Sequence, residues 1–153
     1  MARAVPKRRE EFRTGRGYAR AALAALGCAP CPIPIGESRQ PVWPNGFLGS
    51  ISHTGHICVS VVGRSKNFSG LGLDLELDEE LEGDLYPFIC RKDEVYLKQI
   101  LARTRIDPGK LLFVIKEAVY KAYFPGAGFF LDFHDVKVEI DPARNAFLAF
   151  LVN

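Results

Sequence analysis

The stretch GLGLDLELDEE, residues 70–80, sets two acids, Asp74 and Glu76, into an apolar run that otherwise has the pattern of a buried strand. In a strand, residues two apart point to the same face, so this spacing puts the two carboxylates side by side, about 6.5–7 Å apart at the backbone. Leu73, Leu75 and Leu77 are then expected on the opposite, buried face. Two like charges so placed repel unless a cation lies between them, and hard oxygen ligands suit Mg²⁺ or Mn²⁺. A strand with one wet face is the commoner explanation of a bare D-x-E motif, so the remainder of the chain has to decide.

Upstream, FLGSISHTGHICVSVVG (residues 47–63) places Ile51 between Ser50 and Ser52 and resumes an apolar run after Gly55, which predicts a β-hairpin. Before it, residues 30–46 carry five prolines and two glycines and are expected to form an extended loop, with Trp43 as its packing anchor. Residues 7–26 are rich in Ala and Leu, with Phe12, Ala19, Leu23 and Leu26 at helical spacing and Gly27 as a stop. On that helix Arg9, Arg13, Arg16 and Arg20 follow at i, i+4, i+7 and i+11, so four guanidinium groups are expected on one face. The first twenty residues hold seven Lys or Arg against two acids, a local anion attractor in a chain whose formal charge is only +2. A solvated basic face remains the plainer explanation.

Downstream, residues 78–103 read as two short helices broken near Pro87, the second opening at Asp93. Residues 109–124 read as a long helix ended by Pro125-Gly126, and residues 133–140 and 146–152 as a hairpin around the turn DPARN, residues 141–145. The class is α+β. The 109–124 helix carries a third acid, Glu117, four residues before Lys121. Such a pair is usually an exposed contact worth about 0.3–0.5 kcal/mol, but this helix is apolar around most of its girth. His53 in the hairpin is a candidate phosphate donor, or a histidine satisfied by backbone. Three carboxylates, a histidine, a lysine and a basic helix face are together what a metal-bound polyanion such as a diphosphate requires.

With 153 residues, 48% hydrophobic and 25% charged, the chain has the balance of one folded domain, without repeats or low-complexity tracts. It lacks an apolar stretch near the roughly 20 residues that span a bilayer, and its opening segment lacks the apolar middle of a signal peptide, so it reads as cytoplasmic. Cys28, Cys31, Cys58 and Cys90 include one C-x-x-C pair, for which structural thiols are the expectation and a zinc or redox pair the alternative.

The ordered series GRGYARAAL (residues 15–23), PIGESRQPVWPNGFLGSISHTG (residues 34–55), GLGLDLE (residues 70–76) and FVIKEAVYKAYFP (residues 113–125), followed by FLDFHDVKVEI (residues 130–140), resembles the 4'-phosphopantetheinyl transferases, in particular the branch that serves siderophore and other non-ribosomal peptide synthetases. The resemblance covers nearly the whole chain. It implies transfer of the phosphopantetheine arm of coenzyme A to a serine of an apo acyl or peptidyl carrier protein, with release of 3',5'-bisphosphoadenosine. It implies metal acids at Asp74, Glu76 and Glu117, holding Mg²⁺ (Mn²⁺ being the other candidate) on the diphosphate. Lys121 would contact phosphate, and Glu117 would take the serine proton, directly or through a metal-bound water. His53 would hold a phosphate oxygen, Arg16, Arg20 and Arg39 would receive the 3'-phosphate and the adenine end, and Ser52 would add a backbone or hydroxyl contact.

The implied fold is two pseudo-symmetric α/β halves, about 1–76 and 77–153, with coenzyme A in the cleft between them. Both ends are shorter than that pattern, so the first half is expected to be incomplete, and the last strand, AFLAFLVN (residues 146–153), to expose a sheet edge. Two rival readings accompany this one. The first is a shortened member that binds coenzyme A or a carrier protein without turnover. The second is a basic-faced module docking through Arg9, Arg13, Arg16 and Arg20 on an acidic protein or on RNA, of which RNA fits poorly because that face offers only Tyr18 for base stacking.

Overall fold

A computed structural model of the chain describes residues 6–102 and 104–152. Arg3 of the basic segment, Arg103 at the end of the 78–103 region, and Asn153 lie outside them. The element order is helix α1 (Pro6–Ala25), hairpin strands β1 (Phe47–Thr54) and β2 (Ile57–Arg64), one-turn helices α2 (Tyr86–Ile89) and α3 (Leu97–Ile100), the long helix α4 (Pro108–Ala127), and hairpin strands β3 (Val136–Asp141) and β4 (Ala146–Leu151). The α+β class and both hairpins are as expected.

The two strands of the first hairpin pair antiparallel from Phe47↔Arg64 to Thr54↔Ile57. Its two-residue connection works because Gly55 takes φ 55°, a region that a side chain disfavours. Alternation along β1 then separates two environments. Ile51 packs with Ala19, Leu23 and Ile33 in a cluster that joins α1, the proline-rich loop and the hairpin, and Trp43 lies in the same cluster as the expected anchor. Ser50 and Ser52, both buried, turn the other way, toward residues 73 and 74.

Residues 70–77 do not form the expected strand. They belong to neither two-stranded sheet, Leu73 and Leu75 are only half-buried, and Leu77 is exposed. The physical reason is the two glycines. A β-carbon on Gly72 would stand 1.7 Å from the carbonyl oxygen of Ala118, and one on Gly70 2.5 Å from that of Ala122. The segment therefore lies directly on the backbone of α4 as a spacer between that helix and β1, instead of extending a sheet. Asp74 is held at the centre of this layer.

Helix α4 begins where Asp107 accepts the backbone N–H of Lys110 at 2.7 Å and Pro108 supplies the first helical turn. It does not stop before Pro125. That proline lies inside the last turn, and the helix runs to Ala127 and closes on the left-handed Gly128. A proline this close to the end forfeits only one ladder bond, whereas in mid-helix it would break the element. The region 78–103 also departs from expectation. Pro87 sits in the first turn of α2 rather than between two helices, and Asp93 lies within a 3₁₀ turn, Lys92–Glu94, rather than capping a helix.

A second buried cluster, Ile89, Cys90, Leu97, Leu112, Ile115, Leu131, Val136 and Val138, joins α2, α3, α4 and β3. Inside it lies a charged pair. Lys116 and Glu94 are 2% and 0% exposed, and the Lys116 ammonium donates to the Glu94 carboxylate at 2.7 Å and to the Ile89 carbonyl at 2.8 Å. Glu94 also accepts from the backbone N–H groups of Val138 and Arg91. Beyond β3, every residue of β4 is exposed, including Phe147, Leu148, Phe150 and Leu151, so the exposed sheet edge is present as expected.

Candidate functional site

The layering of β1, residues 70–77 and α4 brings three predicted residues together. Ser52 reaches out of β1 and donates its hydroxyl to Asp74 Oδ1 at 2.9 Å. Lys121, on the third turn of α4 past Lys110, donates to the same Oδ1 and lies 3.3 Å from the Ser52 hydroxyl. The Asp74 side chain is 5% exposed and that of Lys121 29%, so the carboxylate is at the bottom of the site and the ammonium at its rim. Asp74 Oδ2 is buried and has no hydrogen-bond partner among the described residues. A buried carboxylate oxygen without a partner is costly in a folded protein, so a bound water, a cation or a donor from a ligand is expected there.

Glu117 lies one turn before Lys121, but Lys121 turns to Asp74 instead of forming the expected Glu117–Lys121 contact. Burial pushes the Glu117 carboxyl above its ordinary range; Lys121 pulls it back, and the negative charges of Asp74 and Glu76 push it up again. Glu117 thus feels the charges of both other predicted metal acids. A small pocket of about 60 Å³ beside Glu117 is lined by Tyr120, Phe130, Leu131 and Phe133 together with the charged Lys116 and Asp132. The Tyr120 hydroxyl is pushed up by burial and then by Glu117.

The donor set fits a hard divalent cation through Asp74 Oδ2, the half-buried Glu117 and the exposed Glu76. Among the described residues, however, no three His, Cys, Asp or Glu side chains are gathered closely enough to form a finished metal cage. One of the two Asp74 oxygens is already occupied by Lys121 and Ser52.

The predicted anion-binding groups separate into two kinds. Arg20 and Arg39 are exposed, and Arg39 holds φ 70° in a turn where its N–H donates to the Gly36 carbonyl and Gly36 donates to that of Gln40. A non-glycine residue in that conformation is strained, and such strain concentrates at functional loops. His53 has a half-exposed side chain with Nε2 3.9 Å from Glu11 Oε2 on α1. Arg16 departs from expectation. It is 8% exposed, stacks on Phe12 with 3.5 Å from its guanidinium carbon to the ring centroid, and donates to the Ile33 carbonyl at 2.8 Å and that of Pro34 at 3.5 Å. Helical spacing fixes which residues share a face, but not that the proline-rich loop covers part of it. Arg9, Arg13 and Arg20 stay exposed, and Arg16 fastens the loop that carries Arg39.

Two features of the site were not anticipated. The hydroxyl of Ser52, a predicted cofactor contact, has the Asp74 carboxylate as its partner, which the alternation of β1 foreshadows by facing Ser52 away from Ile51. Lys116 is fully buried beside Glu117, and its signal was available: it continues the apolar stripe Leu112, Ile115, Val119 at helical spacing. The four cysteines are free thiols, with Cys28 and Cys31 Sγ atoms 3.8 Å apart. Among the described residues no helix is long and apolar enough to cross a membrane.

Residues 1–63 match the model of the 4'-phosphopantetheinyl transferase N-terminal domain, and residues 70–153 that of the 4'-phosphopantetheinyl transferase superfamily. The chain is 38% identical to 4'-phosphopantetheinyl transferase Svp of Streptomyces mobaraensis, over 99% of this chain and 63% of that protein. It is 36% identical to 4'-phosphopantetheinyl transferase PptT of Mycobacterium tuberculosis, over 92% of this chain and 62% of the relative. It is 36% identical to enterobactin synthase component D of Salmonella typhi, over 76% and 49% respectively. The chain thus spans less than two thirds of the length of these relatives.

Proposed function

The chain belongs to the 4'-phosphopantetheinyl transferase superfamily, and from that premise we propose that it transfers the 4'-phosphopantetheine arm of coenzyme A to a serine of an apo acyl or peptidyl carrier protein. The observation that carries this reading is the buried Asp74 carboxylate, pinned through one oxygen by Ser52 and Lys121 and without a partner at the other among the described residues, with Glu117 one helical turn from Lys121. In the proposed reaction the serine oxygen attacks the diphosphate phosphorus that bears the pantetheine arm. The bond from that phosphorus to the bridging oxygen breaks, and 3',5'-bisphosphoadenosine leaves with the electron pair.

Asp74, Glu76 and Glu117 would hold Mg²⁺, with Mn²⁺ as a substitute. When bound, the ion supplies charge neutralisation for the diphosphate. Phosphoryl transfer asks the protein chiefly to position groups and offset charge. Lys121 offers an ammonium at the rim for a phosphate oxygen. Arg20, Arg39 and His53 offer exposed donors for the 3'-phosphate and the adenine end, and Arg16 sets where Arg39 stands by fastening its loop. Burial makes Glu117 a stronger proton acceptor than an ordinary glutamate, which suits it to take the serine proton. The two buried clusters, each built on one hairpin and one long helix, support a two-half architecture divided near residue 76, with the cofactor between the halves. Relatives named as enterobactin synthase components support a carrier of the non-ribosomal peptide type.

The test is to incubate the chain with coenzyme A, Mg²⁺ and an apo carrier protein and to weigh the carrier by mass spectrometry. A gain of one phosphopantetheine arm, absent with Asp74→Ala, is the expected result. Metal-dependent binding of coenzyme A without transfer to any of several carriers would replace the enzyme by a binding-only member of the family.

A further inference from the structure

Lys121 faces two demands on the charge of one ammonium, although its three N–H groups could be shared between them. It neutralises the buried Asp74 through Oδ1, with the Ser52 hydroxyl 3.3 Å away, and the proposed reaction needs its charge on a phosphate oxygen. Among the described residues Asp74 Oδ2 has no partner, although a cation sits on the other oxygen of the same carboxylate. The Lys121 side chain is 29% exposed, so it has a path outward, whereas Ser52 is buried and Asp74 nearly so. A lysine suits such a movable charge: it is a compact point cation on a flexible four-carbon stem, unlike the rigid fork of arginine.

We propose, resting on the metal-binding reading above, that Lys121 is an internal counter-ion which the entering divalent cation displaces from Asp74. With an ion held there, Ser52 would keep its hydrogen bond to Oδ1 and so fix how the carboxylate is presented, and the released Lys121 ammonium would become the phosphate donor. Metal entry and creation of the phosphate-binding cation are then one event. Each ligand raises the affinity for the other by the same factor, as linkage requires. Without metal, the Lys121 ammonium would stay on Asp74 and the diphosphate would bind weakly.

The test follows the lysine ε-carbon resonances by NMR during titration with MgCl₂ alone, with the Lys121 signal assigned by its loss in Lys121→Met. The Lys121 resonance is expected to move saturably with Mg²⁺, and not to move in Asp74→Asn. In parallel, Lys121→Met is expected to bind Mn²⁺ about fivefold or more tighter than the unaltered chain, read by electron paramagnetic resonance without coenzyme A. Saturable, Asp74-dependent metal binding that leaves the Lys121 resonance still, or a Lys121→Met variant with unchanged or weaker Mn²⁺ affinity, would overturn the exchange and leave the metal site standing. Absence of any Asp74-dependent metal binding would overturn both.

Discussion

Replacing Glu94 by alanine should be among the most damaging single changes in this chain, although Glu94 lies outside the proposed site. Its carboxylate is wholly buried and accepts from the Lys116 ammonium at 2.7 Å and from the Val138 and Arg91 N–H groups at 2.8 and 2.9 Å. Truncation leaves the Lys116 cation at 2% exposure with only the Ile89 carbonyl to receive it, and strands the Val138 N–H between α4 and β3. Removing one partner of a buried pair costs about 3–5 kcal/mol, because a charge is left uncompensated in a low dielectric. Against a total stability of about 5–15 kcal/mol, the variant should still fold at 25 °C. Its melting temperature should fall by about 6–20 °C, at roughly 2–4 °C per kcal/mol for a chain of this size. Urea unfolding at neutral pH, followed by circular dichroism, measures the cost. Burial already holds the Lys116 ammonium below its ordinary range, with Glu94 as the main opposing influence, so without Glu94 the lysine gives up its proton more readily. Glu94→Leu combined with Lys116→Met removes both charges and should recover part of the loss, and the double-mutant cycle isolates the pair's coupling. A Glu94→Ala cost below about 1 kcal/mol, or a double variant no more stable than the worse single, would refute the reasoning.

Three further outcomes are expected. Glu117 binds its proton more tightly folded than unfolded, so its contribution to stability is complete at low pH and is lost as pH rises through the folded value; in metal-free buffer Glu117→Gln should raise the melting temperature near pH 7.5 and leave it unchanged near pH 4. Arg16→Ala should cost about 1.5–3 kcal/mol in a urea titration through its lost charge-assisted bonds to the loop carbonyls, whereas Arg20→Ala should stay within about 0.5 kcal/mol; equal costs would mean that Arg16 is not the tie of its loop. Gly72→Ala forces a β-carbon to 1.7 Å from the Ala118 carbonyl oxygen, and should cost about 1–3 kcal/mol or more and also weaken Mn²⁺ binding, since Asp74 lies two residues away.

The two hairpins were legible because period-two alternation and turn residues are local signals: Gly55 at one connection, and at the other Asp141, which accepts from the Ala143 N–H, and Asn145 at φ 49°. The 70–77 segment departs from its expected strand for a physical reason. Its L-G-L-D-L-E-L alternation is equally compatible with a strand and with an extended spacer on a helix, and only the distance from Gly72 to the Ala118 carbonyl separates them. Pro125 illustrates the same limit, because a stop signal acts only where enough helix follows for its lost bond to matter. In the site, residue types and order pointed to Asp74, Glu117 and Lys121. They did not disclose the pairing, because i,i+4 spacing joins Lys121 to Glu117 on paper, whereas tertiary packing offers it the more deeply buried Asp74.

Helix α4 carries two lysines with opposite duties, and their surroundings determine which is which. Lys116 is sealed among Ile89, Leu112 and Val138, its hydrogen bonds go to one carboxylate and one carbonyl, and its partner Glu94 accepts two further backbone bonds that hold it in place. That pair cannot exchange without unfolding the second cluster. Lys121, little more than one turn further on, meets a carboxylate with a free oxygen and a side-chain hydroxyl that can hold it alone, and its own ammonium reaches solvent. The first pair fixes where the helix lies, and therefore where Glu117 and Lys121 project; the second is built so that a stronger cation can replace the lysine. If the two duties are separable, Lys116→Met combined with Glu94→Leu should change stability while leaving the ratio of metal affinities between the unaltered chain and Lys121→Met as it was, because pairs without shared partners act additively.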